Sequence, residues 1–326
     1  MKMNELKLIY FSPTGTTHKV VMETARSIDL KSVSFDLTIK KDLKPVAKFA
    51  PNDFALFAIP VYYGRVPALF LKYLDLFSGN GTPAALVATY GCREYEDALL
   101  ELKTEVEKRG FKVIGAAAFP AEHSIVNSIG ARRPNKADLK EASEYGISLN
   151  RIIKKEDSFA SFDLKVPGNT PYRKYGKNVL FPKADVSLCT ECSACAKICP
   201  AGAISLDNPK KTDHDKCIGC MKCVRFCKQK ARYVSAFKLN MAAKKLTKVC
   251  QSDKKGPRYF FKLHRHLLFK TAVRKIYKQI SIGRQVSGLS RPFGLPPSQK
   301  NRRIRLYCRI RRFLTPGHLI SFNIIM

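Results

Sequence analysis

Eight of the eleven cysteines fall between residues 189 and 227, in two copies of one spacing. The first copy is Cys189-x2-Cys192-x2-Cys195-x3-Cys199-Pro200 and the second is Cys217-x2-Cys220-x2-Cys223-x3-Cys227, with seventeen residues between Cys199 and Cys217. Three thiolates at two-residue intervals can be turned inward by one tight loop, so that they hold three corners of a small inorganic cube. The x3 step faces each fourth cysteine away from its own loop and toward the other copy, so the ligands cross over. Cys189, Cys192, Cys195 and Cys227 are therefore expected on one 4Fe-4S cluster, and Cys217, Cys220, Cys223 and Cys199 on a second. Structural zinc fits poorly, because neither copy offers separated ligand pairs or a histidine at pair spacing. Disulfides fit poorly as well, since they need an oxidising compartment.

The stretch resembles the bacterial two-cluster ferredoxins, which implies a small α+β domain and an electron-carrying role. It departs from them at Lys228, where the family has proline, so the turn presenting Cys227 is expected to be less rigid than the Cys199-Pro200 turn. Lys216, Lys222, Arg225, Lys228, Lys230 and Arg232 surround the second copy. That much positive charge is expected to favour the reduced, more negative cluster and to suit a redox partner with an acidic docking surface.

The N-terminal half carries a different signature. Residues 5 to 11 read as a buried strand that ends in Ser12-Pro13-Thr14-Gly15-Thr16-Thr17, before a helical pattern with Val20, Val21, Ala25 and Ile28. Such a hydroxyl-rich loop can surround a phosphate with backbone N–H groups while the helix N-terminus adds its dipole. It is neither a Walker A motif nor G-x-G-x-x-G. Residues 31 to 38 alternate like an edge strand, and the apolar runs at 53 to 60, 83 to 89 and 111 to 119 read as buried parallel strands separated by helical patterns. Pro67 opens one helix, Gly110 closes another, and Asn135 with Asp138 caps a third. The expected fold is α/β, a doubly wound parallel sheet, with the ligand edge at the carboxyl ends of its strands.

Two further loops should reach that edge, one with Tyr62, Tyr63 and Gly64 and the other with Tyr90, Gly91 and Tyr95. Aromatic faces beside close backbone groups suit a flat isoalloxazine ring. The Ser12 to Thr17 loop resembles the S/T-x-T-G-x-T phosphate loop of flavodoxins, which implies strand order 2-1-3-4-5 and FMN held by Ser12, Thr14, Gly15, Thr16 and Thr17. The same resemblance matches Tyr63 and Tyr95 to ring-stacking aromatics, and Gly64 and Gly91 to the adjacent turns. His123 and Ser124 follow the last of these strands and are expected in a solvated loop, the alternatives being a border of the flavin pocket or, with Arg132 and Arg133, a seat for an anionic partner; the lone Cys92 receives no role.

The order of parts resembles the fusion proteins that join a flavodoxin-like domain to a two-cluster ferredoxin, known as EFR-type ferredoxins, over about residues 5 to 260. Boundaries are expected at 1–155 for the flavin domain, 156–184 for a linker, 185–240 for the ferredoxin domain and 241–326 for a basic, irregular extension. The net charge is +33, yet residues 254 to 326 hold eighteen Lys and Arg with no Asp or Glu, so the excess is concentrated in the tail. Beyond about residue 261 the tail reads either as a basic arm or as an out-of-frame ending. Nucleic acid is a poor candidate partner because most of the relevant charge sits there. No apolar run approaches the about 20 residues that span a bilayer, and Met1 leads straight into a strand, so a cytoplasmic protein is expected. The leading functional expectation is an electron carrier linking FMN and two 4Fe-4S clusters to other redox proteins. The alternative is an iron-sulfur flavoenzyme that reduces a small substrate at the flavin.

Overall fold

Four strands are apolar on both faces, and that pattern decides where they go: each must be covered by helices above and below. In the computed structural model, which describes residues 2–39, 47–156, 158–176, 179–250 and 256–261, they form the centre of one sheet. The elements run β1 (Leu6–Tyr10), α1 (Thr16–Arg26), β2 (Ser32–Asp36), β3 (Ala47–Phe49), β4 (Phe54–Pro60), α2 (Ala68–Leu74), β5 (Phe77–Gly79), β6 (Thr82–Tyr90), α3 (Ala98–Glu107), β7 (Phe111–Pro120) and α4 (Lys136–Lys155). There follow β8 (Lys183–Ala184), α5 (Ala194–Lys197), α6 (Lys222–Phe226), β9 (Arg232–Tyr233), α7 (Ala236–Val249) and β10 (Arg258–Phe261).

The main sheet has the order β10-β7-β6-β4-β1-β2. Its β2-β1-β4-β6-β7 portion is parallel throughout, and with the small β3-β5 sheet set aside this is the flavodoxin order 2-1-3-4-5. One face buries Val20 and Val21 of α1 with Ala142, Tyr145, Leu149 and Ile153 of α4. The other buries Phe70 and Leu74 of α2 with Leu99, Leu102 and Val106 of α3. Asn135 and Asp138 close the expected capping box at the start of α4. α4 can lie close to α1 only because Gly146 has no side chain: a Cβ there would stand 2.2 Å from the Thr24 carbonyl oxygen.

Two segments behave differently from the sequence expectation. The stretch read as a linker has neither helix nor strand over residues 158–176, but it packs against the sheet domain, burying Phe159, Phe162 and Leu164. Asp97 accepts hydrogen bonds from the Asn169 and Arg173 amides at 2.9 and 2.8 Å, so the segment is a strap across the start of α3. The stretch read as an irregular extension contains α7 and β10, and β10 pairs antiparallel with β7, Phe260 opposite Ala116. Tyr259 stacks on Tyr145 with ring centroids 5.7 Å apart. The ferredoxin segment therefore leaves the sheet domain after α4 and the chain returns to the same sheet. The basic tail beyond Phe261, with both readings of it, lies outside the described residues.

The cysteine segment is built as an internal repeat. β8 and β9 pair antiparallel, and α5 and α6 each start at a left-handed residue, Ser193 and Met221. Positive φ recurs at matched positions of the two copies: Glu191 and Gly219, Ser193 and Met221, Gly202 and Lys230. Non-glycine residues enter this region at a cost of roughly 1–3 kcal/mol each, a strain that clusters at functional loops.

Candidate redox site

The paired left-handed residues on either side of Cys192 and Cys220 turn successive amides toward the sulfurs, making the kind of concavity that holds anions. Cys192 and Cys195 have the amides of Ala194 and Ala196 as hydrogen-bond partners, and Cys217 and Cys220 have those of Gly219 and Lys222. The Ala203 amide donates to the Cys199 sulfur at 3.3 Å. Cys199, Cys217, Cys220 and Cys223 line one cavity, with Ala203, Ile204, Ile218 and Met221 supplying its apolar wall. The fourth cysteine of the first copy thus stands with the first three of the second. In the first copy Cys189 and Cys195 are neighbours, while Cys192 is exposed.

Burial pushes the Cys220 thiol up to about 12 and the Cys223 thiol to about 11, the latter opposed by the positive charge of Arg232. Cys192 is held below the ordinary thiol value, chiefly by the Ala194 amide. Among the described residues no three Cys, His, Asp or Glu side chains converge on the position of a single metal ion. Soft sulfur donors spread around an apolar cavity, three of its four with amide hydrogen bonds and Cys223 with Arg232 instead, fit a multi-atom iron-sulfur core, and binding it would displace the thiol protons.

At the carboxyl edge of the sheet the Ser12 to Thr17 loop joins β1 to α1. Gly15 is the N-cap, with φ +86, and a Cβ there would meet nothing within 4 Å, so the loop has open space above it. Ser12 and Thr17 hold the loop rather than offering their hydroxyls. The Ser12 side-chain oxygen accepts from the His18 amide at 2.9 Å, and Thr17 Oγ1 lies 2.7 Å from Thr89 Oγ1 of β6. Thr14 and Thr16 remain partly exposed, beside the helix N-terminus. A phosphate fits there through Gly15, Thr14, Thr16 and the first-turn amides.

The two tyrosine loops divide. Tyr62, Tyr63 and Gly64 stand at the edge, with Tyr63 40% exposed and in left-handed backbone, and Gly64 at φ +76. Tyr90 and Tyr95 do not flank an open slot. Both are core residues, packed edge to face at 5.5 Å, and Arg258 of β10 covers the Tyr95 ring at 5.4 Å. The expected stacking role for Tyr95 is corrected on that ground: its faces are already filled by protein. Gly91 is a close-approach position, because a Cβ would lie 2.6 Å from the His123 ring. His123 itself accepts from the Ile125 and Val126 amides at 3.2 and 3.0 Å, and burial holds it at about 4.

The two sites adjoin. Tyr62 and Tyr63 both lie within electrostatic range of Cys217, and Tyr62 also of Cys220. Ile218, between those cysteines, packs onto the sheet core. Arg225 of α6 pairs with Glu122, just beyond β7.

Residues 188–232 match the 4Fe-4S dicluster domain family. Pyruvate synthase subunit PorD of Methanothermobacter marburgensis is 38% identical over 69 residues, which is 21% of this chain and 83% of PorD. The chain belongs to the 4Fe-4S dicluster ferredoxins. The PorD subunit of Methanocaldococcus jannaschii is 39% identical over 64 residues, 19% of this chain and 74% of that subunit. Similar solved structures include a flavodoxin from the domain Archaea, at 16% identity over 46% of this chain and 99% of that one, with TM-score 0.34. Another is the Fusobacterium nucleatum flavodoxin bound to flavin mononucleotide, at 19% identity over 46% of this chain and 99% of that one, with TM-score 0.33. This dicluster ferredoxin segment is thus fused to a domain with flavodoxin topology, and among the described residues no helix is long and apolar enough to cross a membrane.

Sequence reasoning missed the support beneath Tyr62 and Tyr63. Arg65 forks onto Glu101 and lies between the rings of Tyr172 and Tyr175 of the strap. The signal was present as Gly168 and Gly176, which pack against Leu100 and the Tyr63 ring, but those glycines read equally well as linker residues.

Proposed function

We propose that the protein carries single electrons between an FMN at the carboxyl edge of the sheet and two 4Fe-4S clusters, and exchanges them with other redox proteins. The observation that carries this reading is the approach of the Tyr62-Tyr63 loop to Cys217 and Cys220. In this reading Cys199, Cys217, Cys220 and Cys223 hold the cluster nearer the flavin, and Cys189, Cys192, Cys195 and Cys227 hold the outer one. When bound, FMN exchanges electrons singly or in pairs while each cluster exchanges one, so the pair can split two-electron input. The chain's own residues position and insulate: Thr14, Gly15 and Thr16 receive the phosphate, Tyr62 and Tyr63 border the ring, and Ile218 and Met221 keep water from the inner cage.

The exposed Lys228 and Lys230 support a partner with an acidic docking surface. Cluster ligands must stay reduced thiolates until iron and sulfide are loaded, which supports a reducing, cytoplasmic setting. Oxygen-free purification followed by iron, sulfide and flavin analysis tests the proposal. About eight iron atoms and one FMN per chain are expected, with Cys220→Ser removing the inner cluster while FMN remains. Zinc in place of iron, or full iron with no flavin uptake on FMN titration, would defeat it.

A further inference from the structure

Among the described cations that follow the second cysteine loop, Arg232 alone is buried, at 3% exposure, while Lys228 and Lys230 stand in solvent. Its guanidinium donates to the Pro209 carbonyl at 3.1 Å, the Lys210 carbonyl at 3.4 Å, the Pro182 carbonyl at 3.5 Å and Thr212 Oγ1 at 2.5 Å. Nη2 also lies 4.0 Å from the Cys223 sulfur. Among the described residues its hydrogen-bond partners are carbonyls, a hydroxyl and a thiol, with no carboxylate, and its Nε–H is buried without a partner. A buried cation with only neutral partners is strongly disfavoured, so the site makes sense when something anionic stands beside it. Its charge reaches thiols of both cysteine copies: Cys223 and Cys217 of the inner cage, and Cys195 of the outer one.

We infer that Arg232 is the fixed counter-charge of the two iron-sulfur cages, and that its contact with Cys223 raises the reduction potential of the inner cage relative to the outer. The inference rests on the ligand assignment proposed above. Reduction places one electron, and therefore one further negative charge, inside four thiolates; no bond forms or breaks and no proton is required. A guanidinium cannot lose its proton in this range and is held by four hydrogen bonds, so it favours the reduced state without having to move. The lysines on the surface are screened by water and salt and act mainly on approaching partners.

The test is an anaerobic dithionite titration of the full-length, iron-loaded protein, followed by EPR, on wild type, Arg232→Gln, Arg232→Lys and Thr212→Val. Cys192→Ser, which alters only the cage containing Cys192, assigns the two signals. In Arg232→Gln the reduced-to-oxidised ratio of the inner cage at a fixed solution potential should fall by about tenfold or more, the effect of one poorly screened unit charge, with a smaller fall for the outer cage. Arg232→Lys should keep most of the wild-type behaviour, and Thr212→Val, which loses a hydrogen bond but no charge, should titrate as wild type. Full iron with unmoved titrations in Arg232→Gln would overturn the inference, as would a Lys variant that shifts as far as the Gln variant. If Arg232→Gln fails to hold iron, the Lys variant decides: preserved titrations support the charge role and shifted ones end it. Failure of the wild type itself to bind iron defeats the proposed function instead.

Discussion

Replacing Arg65 by methionine should loosen the loop that carries Tyr62 and Tyr63, by an amount the structure allows to be worked out. Arg65 Nε donates to Glu101 Oε2 at 2.7 Å and Nη2 to Oε1 at 2.6 Å, and the Val66 amide donates to Oε2 at 2.9 Å. The two side chains are only 12% and 3% exposed. Removing one member of such a pair leaves a buried carboxylate uncompensated, a loss of about 3–5 kcal/mol. The guanidinium also lies 4.3 Å from the Tyr175 ring and 5.0 Å from that of Tyr172, contacts worth about 1 kcal/mol or more. A total of about 4–6 kcal/mol corresponds to a drop of roughly 10–20 °C in Tm for a domain of this size. The chain has no tryptophan, so unfolding is best followed by circular dichroism, on protein kept anaerobic and iron-loaded. The Arg65→Met/Glu101→Gln double variant should lose clearly less than the two single losses added, because neither charge is then stranded. An Arg65→Met loss below about 1 kcal/mol would mean that the pair behaves like an exposed one, and the account of how this loop is held would be wrong.

Burial, with the charge of Arg93 second, holds His123 at about 4 against an ordinary value of 6.5. The unfolded chain therefore takes up a proton that the folded chain refuses, and stability should fall as pH drops from about 6.5 toward about 4; an NMR titration placing the His123 midpoint near 6.5 would contradict this. Gly64→Ala puts a side chain at φ +76 and a Cβ 2.0 Å from Glu96 Oε2; the backbone alone costs about 1–2 kcal/mol, and FMN retention should weaken with the loss of stability. Tyr259→Ala removes the stack on Tyr145 and the 2.6 Å hydrogen bond to Glu141. It should lower stability by about 2 kcal/mol and speed amide exchange along Gly115 to Ala118, whereas unchanged exchange there would mean β10 is not held by this ring.

The central strands were legible because Phe54 to Pro60 and Thr82 to Tyr90 are apolar without alternation, a pattern only a doubly covered sheet satisfies. The α4 cap was legible for a local reason as well, Asn135 and Asp138 being three residues apart. β10 was hidden because its partner lies far back in the sequence and Arg-Tyr-Phe-Phe opens a strongly basic stretch. Tyr90 at the end of β6 and Tyr95 in the loop after it belong to a stretch whose composition suits a ring site, but side-chain direction depends on backbone turns such as Glu96 at φ +46, which composition does not carry. Arg232 was grouped with its lysine neighbours for a similar reason. Spacing gives charge along the chain, and only packing tells a submerged charge from a solvated one.

That the polypeptide comes back to β7 after the cysteine segment has a mechanical meaning. A module hung from a single thread can swing between distant docking stations, and its electron exchange slows as the medium thickens. Here both threads are sewn into one fabric, the strap at one end and β10 at the other, so the loop of Cys217 and Cys220 is anchored beside Tyr62. On the proposed function, internal exchange should then be indifferent to solvent viscosity, leaving arrival of an outside partner as the diffusive step.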